Sequence, residues 1–342
     1  MYRDRIIEYL NSSTNSSSTE IFQGIGAGSL ATVKRVLSKL IKEDLIISTG
    51  KGRATKYSLS LSYSMLMPIY MDEYYRQEID EREIKRSFNF ELFDTILSSK
   101  SLFTQDENEK LNALQDRFLA NISTTSKIEY LKEIERLAID LSWKSSQIEG
   151  NTYSLLETEK LLKEKQTASG KTKDEAIMLL NHKEAIDFII ENRDFMTSLS
   201  VDRVEFLHSK LIKELGIDKN IRKRKVGITG TNYTPLDNEY QIKEAMQYMC
   251  KVINSKENIF EKALLSLVLL SYIQPFVDGN KRTARIISNA LLLAHNYCPI
   301  SFRTIDSLEY KKAMLLFYEQ NNISNFKKIF IEQYEFAVNS YF

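Results

Sequence analysis

The residues best placed to do chemistry lie in one stretch, Gln274-Pro-Phe-Val-Asp-Gly-Asn-Lys-Arg-Thr-Ala-Arg285. Lys281, Arg282 and Arg285 follow a Gly-Asn pair, and Arg282 and Arg285 are three apart, so they share one helix face. A helix N-terminus offers free backbone N–H groups and a partial positive charge, which favour anions. Cations there cost a few tenths to about 1 kcal/mol each unless an anion joins them. Backbone donors plus clustered arginines make a polyphosphate site, and Asp278 just upstream is a hard oxygen ligand for Mg²⁺. The charge pattern alone leaves a second reading open, in which Asp278 caps the helix and the arginines are solvated.

Two core helices must position this stretch. Residues 263–273 are nearly all apolar, too short for a membrane span and long enough for a buried helix. Pro275 and Gly279 break that run, and an apolar pattern resumes at Ile286, Ile287, Ala290 and Leu291. The chemistry therefore sits in a tight loop and the first turns of the second helix. A second misfit of charge lies upstream. A helix carrying Ile128, Leu131, Ile134, Leu137 and Leu141 stops at Gly150-Asn151, which leaves Glu149 at its negative end, where an acid is disfavoured. Glu149 and Arg285 each sit at the wrong pole of a helix, and pairing would relieve both.

Phe276, Asp278, Gly279, Asn280, Lys281, Arg282 and Arg285 match the signature of the Fic family, His-x-Phe-x-Asp/Glu-Gly-Asn-Gly/Lys-Arg-x-x-Arg, and the stretch resembles that motif. The resemblance implies transfer of AMP from ATP to a hydroxyl side chain of a target protein. It implies that Asp278 holds Mg²⁺. Asn280 and the backbone around it, with Gly279, would hold the α-phosphate, and Arg282 and Arg285 the outer phosphates, with Lys281 beside them. Phe276 would anchor the loop. Ser145-x-x-x-Glu149-Gly150-Asn151 is similar to the family's inhibitory motif, whose Glu pairs with the second arginine and blocks the γ-phosphate. Residues 226–235 are similar to the family's flap, a hairpin against which the target segment lies, here with Gly230, Thr231, Asn232 and Tyr233. The basic run at residues 222–225 before it reads as a solvated face.

One position departs. The family's His, the general base, is Gln274 here. An amide cannot take a proton at neutral pH, and loss of a positioned base typically costs about 10²–10⁴-fold. The expectation is a self-inhibited adenylyltransferase that binds ATP and Mg²⁺ but transfers AMP poorly. The alternative is a nucleotide-sensing regulator without transferase activity. Phosphate transfer is a third reading, because Lys281 also occurs in kinase-like relatives; Arg285 argues for AMP transfer.

The chain of 342 residues is long enough for two domains, and its 43% hydrophobic and 27% charged residues are ordinary for a globular protein. Only 4 Pro and 11 Gly point to long helices. A net charge of +1 gives no global drive toward nucleic acid or membrane. Cys250 and Cys298 form no spaced motif, which points to a reducing cytoplasm. His182, His208 and His295 lack zinc spacing, and His182 and His208, set in helical patterns, read as structural.

The fold expected is mainly α: a Fic-type helical domain with a small β-hairpin flap over residues 101–342, preceded by an α+β winged-helix domain over residues 1–62. Residues 63–100, with alternating acids and bases, read as a helical connector. The first 60 residues hold nine Lys/Arg against five Asp/Glu, a net of +4. Three helical patterns and then two short strands around a Gly50–Arg53 turn resemble a winged helix-turn-helix. Thr32, Lys34, Arg35 and Lys39 on its third helix, with Lys51 and Arg53 at the wing tip, would meet DNA. The other use of such a module is protein contact, including a homodimer. The partners expected are thus a target protein offering a Ser, Thr or Tyr hydroxyl, DNA, and a second copy of the chain, with no membrane.

Overall fold

Among the described residues five helices start at a Ser or Thr whose hydroxyl accepts the third backbone N–H, while a Glu at that third position reaches back to the cap: Ser17/Glu20, Thr104/Glu107, Ser126/Glu129, Ser154/Glu157 and Thr172/Glu175. These are the local signals that divide a polar, glycine-poor chain into discrete helices. The computed structural model describes residues 2–42, 45–98 and 101–342. Glu43 and Asp44, counted in the charge of the N-terminal stretch, and Ser99 and Lys100 of the expected connector lie outside the described residues.

The chain divides into two units, Met1–Pro68 and Ile69–Phe342. The first holds α1 (Tyr2–Ser12), α2 (Ser18–Ile25), α3 (Leu30–Lys42), β1 (Ile46–Thr49), β2 (Lys56–Leu59) and α4 (Leu61–Leu66). Ile6, Leu10, Ile21, Val33, Leu37, Leu40 and Ile46 form its core. β1 and β2 pair antiparallel, with Ile46 opposite Leu59 and Thr49 opposite Lys56. Gly50 starts the turn at φ 79°, and a Cβ there would lie 2.5 Å from the Ala54 carbonyl oxygen.

The second unit is built around a helical hairpin. Its elements are α5 (Met71–Tyr74), α6 (Glu91–Ser98), α7 (Gln105–Thr124), α8 (Lys127–Ile148), α9 (Leu155–Glu164), α10 (Lys173–Glu191), α11 (Val201–Leu211), α12 (Glu239–Ser255), α13 (Ile259–Ile273), α14 (Asn280–Ala294), α15 (Ser307–Gln320) and α16 (Ser324–Tyr341). Every residue from Ala263 to Ile273 and from Arg282 to Leu293 is buried. α13 packs on α12, α15 and α16, and α14 packs on α8, α10 and α11. The loop between α13 and α14 is thus anchored at both ends in the core. Among the described residues no helix is long and apolar enough to cross a membrane.

Two expectations change. The 63–100 stretch is no continuous helix, and its part from Ile69 belongs to the second unit. Arg82, within the expected connector, is buried against Glu319 at 3.1 Å, and the Tyr74 hydroxyl donates to the same carboxylate at 2.6 Å. Phe88 stacks on Tyr272 with centroids 4.6 Å apart. These anchors pull the chain into turns along the core. The flap is also not a hairpin: residues 226–235 carry no strand pair of their own. Thr234 instead forms a parallel bridge with Ser87, its N–H donating to the Arg86 carbonyl at 2.8 Å. The connector supplies the neighbour that a second flap strand would have been.

Candidate nucleotide site

α13 ends on Gln274, which adopts left-handed backbone angles, φ 51° and ψ 57°. For a residue with a Cβ this costs about 1–2 kcal/mol, so the surroundings must hold it. The Gln274 carbonyl accepts from Arg222 Nε at 2.6 Å, and the Arg222 N–H donates to the Pro275 carbonyl at 2.9 Å. The Gln274 amide donates to the Ser271 carbonyl at 2.7 Å and accepts from Asn280 Nδ2 at 2.9 Å. Asn280 closes the loop, accepting from the Phe276 N–H and donating to the Phe276 carbonyl, each at 2.9 Å. Phe276 lies flat on His208, centroids 3.6 Å apart. Gly279 caps α14 at φ 80°, and a Cβ there would come within 3.3 Å of the His208 ring.

The charges pair across helices. Glu149, the C-cap of α8, accepts from Arg285 Nη2 at 2.8 Å and faces Lys281 Nζ at 3.4 Å. The Arg285 side chain is 0% exposed and that of Glu149 20%. Burial works against the Glu149 charge, but Arg285, Lys281 and Arg282 outweigh it and hold the carboxyl below its usual value. Ser145, one turn earlier, accepts from Arg285 twice: from Nε at its hydroxyl, 2.8 Å, and from Nη2 at its carbonyl, 2.9 Å. The Arg285 guanidinium also sits 5.3 Å from the Tyr310 ring centroid. Arg282 donates to Asp278 at 3.1 Å. Nε and Nη1 of Arg282 and Nη1 of Arg285 are buried donors with no protein partner. Surplus cationic donors of this kind suit an anion.

A cavity of about 500 Å³ opens over the start of α14. Gln274, Asp278, Gly279, Asn280 and Lys281 form one side, with Glu149 at the edge; Gly227–Gly230 and the α15 residues Lys311, Leu315 and Tyr318 form the others. Arg282 and Arg285 lie behind this wall rather than on it. A larger groove, about 690 Å³, runs along α8 and α9, but it lacks a helix N-terminus with clustered cations.

Most of the residues expected at the site are therefore brought together, and a few are not. Gly230 reaches the cavity, but Thr231 and Tyr233 are buried and Asn232 donates to Asp80 at 2.9 Å, away from it. The Tyr233 hydroxyl donates to the Tyr272 carbonyl at 3.0 Å. Asn289, which four residues beyond Arg285 shares its helix face and by that spacing could touch a nucleotide, is engaged with the backbone of Ile300 and Arg285 and does not face the cavity. Arg222, read as part of a solvated run, is 1% exposed and braces the loop; no local pattern in the sequence marks it.

Asp278 has a side chain 60% exposed, with one oxygen near Arg282 and the other accepting the Gly279 N–H at 2.6 Å. Among the described residues no three acidic, His or Cys side chains cluster as a metal site. One exposed carboxylate suits Mg²⁺ as an ion shared with nucleotide phosphates rather than caged by protein.

In the N-terminal unit Lys34, Arg35, Lys39, Lys51 and Arg53 are exposed, while Thr32 is half-buried with its hydroxyl 3.1 Å from that of Ser29.

Residues 198–292 match the Fic/DOC family. The chain is similar to the protein named "Protein adenylyltransferase Fic" of Aedes aegypti, 26% identical over 258 residues, which is 72% of this chain and 50% of that one. It is 24% identical to the protein of the same name in Drosophila virilis over 305 residues, covering 84% of this chain and 61% of that one. The chain thus spans about half to three-fifths of the length of these curated relatives. Among solved structures, Fic-1 from C. elegans superposes with a TM-score of 0.61 at 17% identity, covering 98% of this chain and 90% of that one. A Fic-domain signaling protein from Bacteroides thetaiotaomicron gives a TM-score of 0.59 at 17% identity, over 67% and 94% of the two chains. These likenesses agree with the mainly helical fold.

Proposed function

The chain carries a Fic domain, and on that premise we propose that it is a protein adenylyltransferase, held shut by Glu149 and slowed by Gln274. In this reading the target's hydroxyl oxygen attacks the α-phosphorus of ATP. The bond to the bridging oxygen breaks, pyrophosphate leaves, and the hydroxyl proton must be removed. A base at the Gln274 position would take that proton; the amide there cannot, so it passes to water. The backbone N–H groups that open α14, that of Asn280 among them, hold the α-phosphate, while the Asn280 side chain keeps the loop closed. Mg²⁺ held by Asp278 would neutralise phosphate charge.

The observation that carries the reading is the Glu149–Arg285 pair, 2.8 Å, closing the cationic start of α14. A carboxylate standing where a cationic helix start calls for an anion is the arrangement a self-inhibited triphosphate site requires. The test restores the base. Gln274→His in the Glu149→Gly background, incubated with ATP and Mg²⁺, is expected to label itself or an added protein 10²–10⁴-fold faster than Glu149→Gly alone, by the typical worth of a positioned base. Intact mass should show whole AMP additions. No adduct in the double variant would end the proposal.

A second reading is favoured by Gln274 and by the exposed basic side chains of the N-terminal unit. There the Fic domain senses nucleotide, and the first 62 residues act as a winged helix on DNA or as a contact to a second copy. Under that reading the double variant binds ATP without forming adducts, and duplex DNA binds the N-terminal unit.

A further inference from the structure

His182 on α10 is fully buried and has no part in the chemistry above. Its Nε2 lies 2.7 Å from the Ser145 hydroxyl oxygen, and its Nδ1 has no partner. Ser145 Oγ already accepts from Arg285 Nε at 2.8 Å. Unlike Ser142, whose hydroxyl turns back to the Ala138 carbonyl at 2.8 Å, Ser145 makes no bond to the preceding turn. Its hydrogen therefore goes to His182 Nε2, which places the ring hydrogen on Nδ1. An uncharged ring suits this role, because burial, and then Arg285 and Arg282, hold His182 far below its usual value. A relay results: His182 accepts from Ser145, Ser145 accepts from Arg285, and Arg285 meets Glu149.

We infer that His182 is a positioning residue of the nucleotide cavity: by taking the Ser145 hydrogen it fixes that hydroxyl, and through it holds Arg285 back from the cavity. The direction follows from where Arg285 lies. It is wholly buried, and both of its Ser145 contacts draw it toward α8, behind the cavity wall. Loosening Ser145 frees the guanidinium for an outer phosphate. Leaving Nδ1–H unpaired in the core is a cost in stability that this arrangement accepts. The inference rests on the reading that Glu149 closes the site, and it adds a support outside residues 198–292.

The test is a cycle of ATP affinities in the full chain, by calorimetry with ATP and Mg²⁺. His182→Phe removes the acceptor. It is expected to tighten ATP binding about two- to tenfold with Glu149 present, the worth of one net hydrogen bond. In the Glu149→Gly background, where Ser145 is the remaining hold on Arg285, the same change should tighten binding by at least as much. His182→Gln, which keeps an acceptor near the Nε2 position, should bind ATP as the parent does. If His182→Phe does not fold, as judged by circular dichroism, Ser145→Ala takes its place with the same expected result. No shift or weaker binding with His182→Phe, or a His182→Gln variant that behaves like His182→Phe, would overturn the inference while Glu149→Gly still tightens binding. If Glu149→Gly itself changes nothing, the closed-site reading and this inference fall together.

Discussion

Glu149→Gly removes the carboxylate that faces Arg285 at 2.8 Å and Lys281 at 3.4 Å. Breaking a buried ion pair by deleting one partner typically costs about 3–5 kcal/mol. Here the cost should fall near the lower bound: the Glu149 side chain is 20% exposed, and Arg285 keeps both bonds to Ser145. The free protein should therefore melt lower. On the proposed reading, the same change also vacates the place of an outer phosphate. Hydrogen bonds to a charged group contribute about 1.5–3 kcal/mol, and about 1.4 kcal/mol is tenfold. The Kd for ATP should then fall about 10- to 140-fold. The gain should shrink through ADP to AMP, since only the outer phosphates reach the vacated place. Calorimetry with the three nucleotides, alongside melting with and without ATP, reads both effects. Equal gains for AMP and ATP, or none, would refute the idea that Glu149 stands in for a phosphate.

Two further outcomes are expected. His208 is buried, and burial, then Arg282, pushes its pKa from 6.5 to about 3. Below 6.5 the unfolded chain binds a proton that the folded chain refuses. Stability is thus full above that pH and falls as pH drops, by about 2 kcal/mol between pH 7 and pH 5 from His208 alone. His182, lowered too, adds in the same direction; denaturant titrations at the two pH values check this, and a flat profile would contradict it. In the N-terminal unit, Arg35→Glu should abolish a salt-sensitive mobility shift with duplex DNA, because Arg35 is exposed on α3. Absence of any shift by the parent chain at low salt would remove DNA from its partners.

Much of the second unit was legible because its signals are local. The capping pair Ser154/Glu157 and the apolar run of α13 can be read along the chain. The Glu149–Arg285 pair was also legible, since each charge sits at the wrong pole of its helix and both belong to a recognisable motif. What escaped depends on distant partners. Arg82 is drawn inward by Glu319, more than two hundred residues later, and Arg222 by carbonyls that only the folded loop presents. The hairpin comes from the family resemblance of 226–235, whose Val, Ile, Thr and Tyr also favour strand, but the neighbour of that stretch is Ser87, which no pattern within 226–235 could disclose.

The buried Glu319 has a consequence for where this protein can be cut. Its carboxylate draws on Arg82 and the Tyr74 hydroxyl, both upstream of the homologous segment. A fragment starting at residue 101, or at 198 where the family match begins, would strand that acid and uncover the Tyr272 ring face. The smallest piece that keeps every such tie intact begins at Ile69.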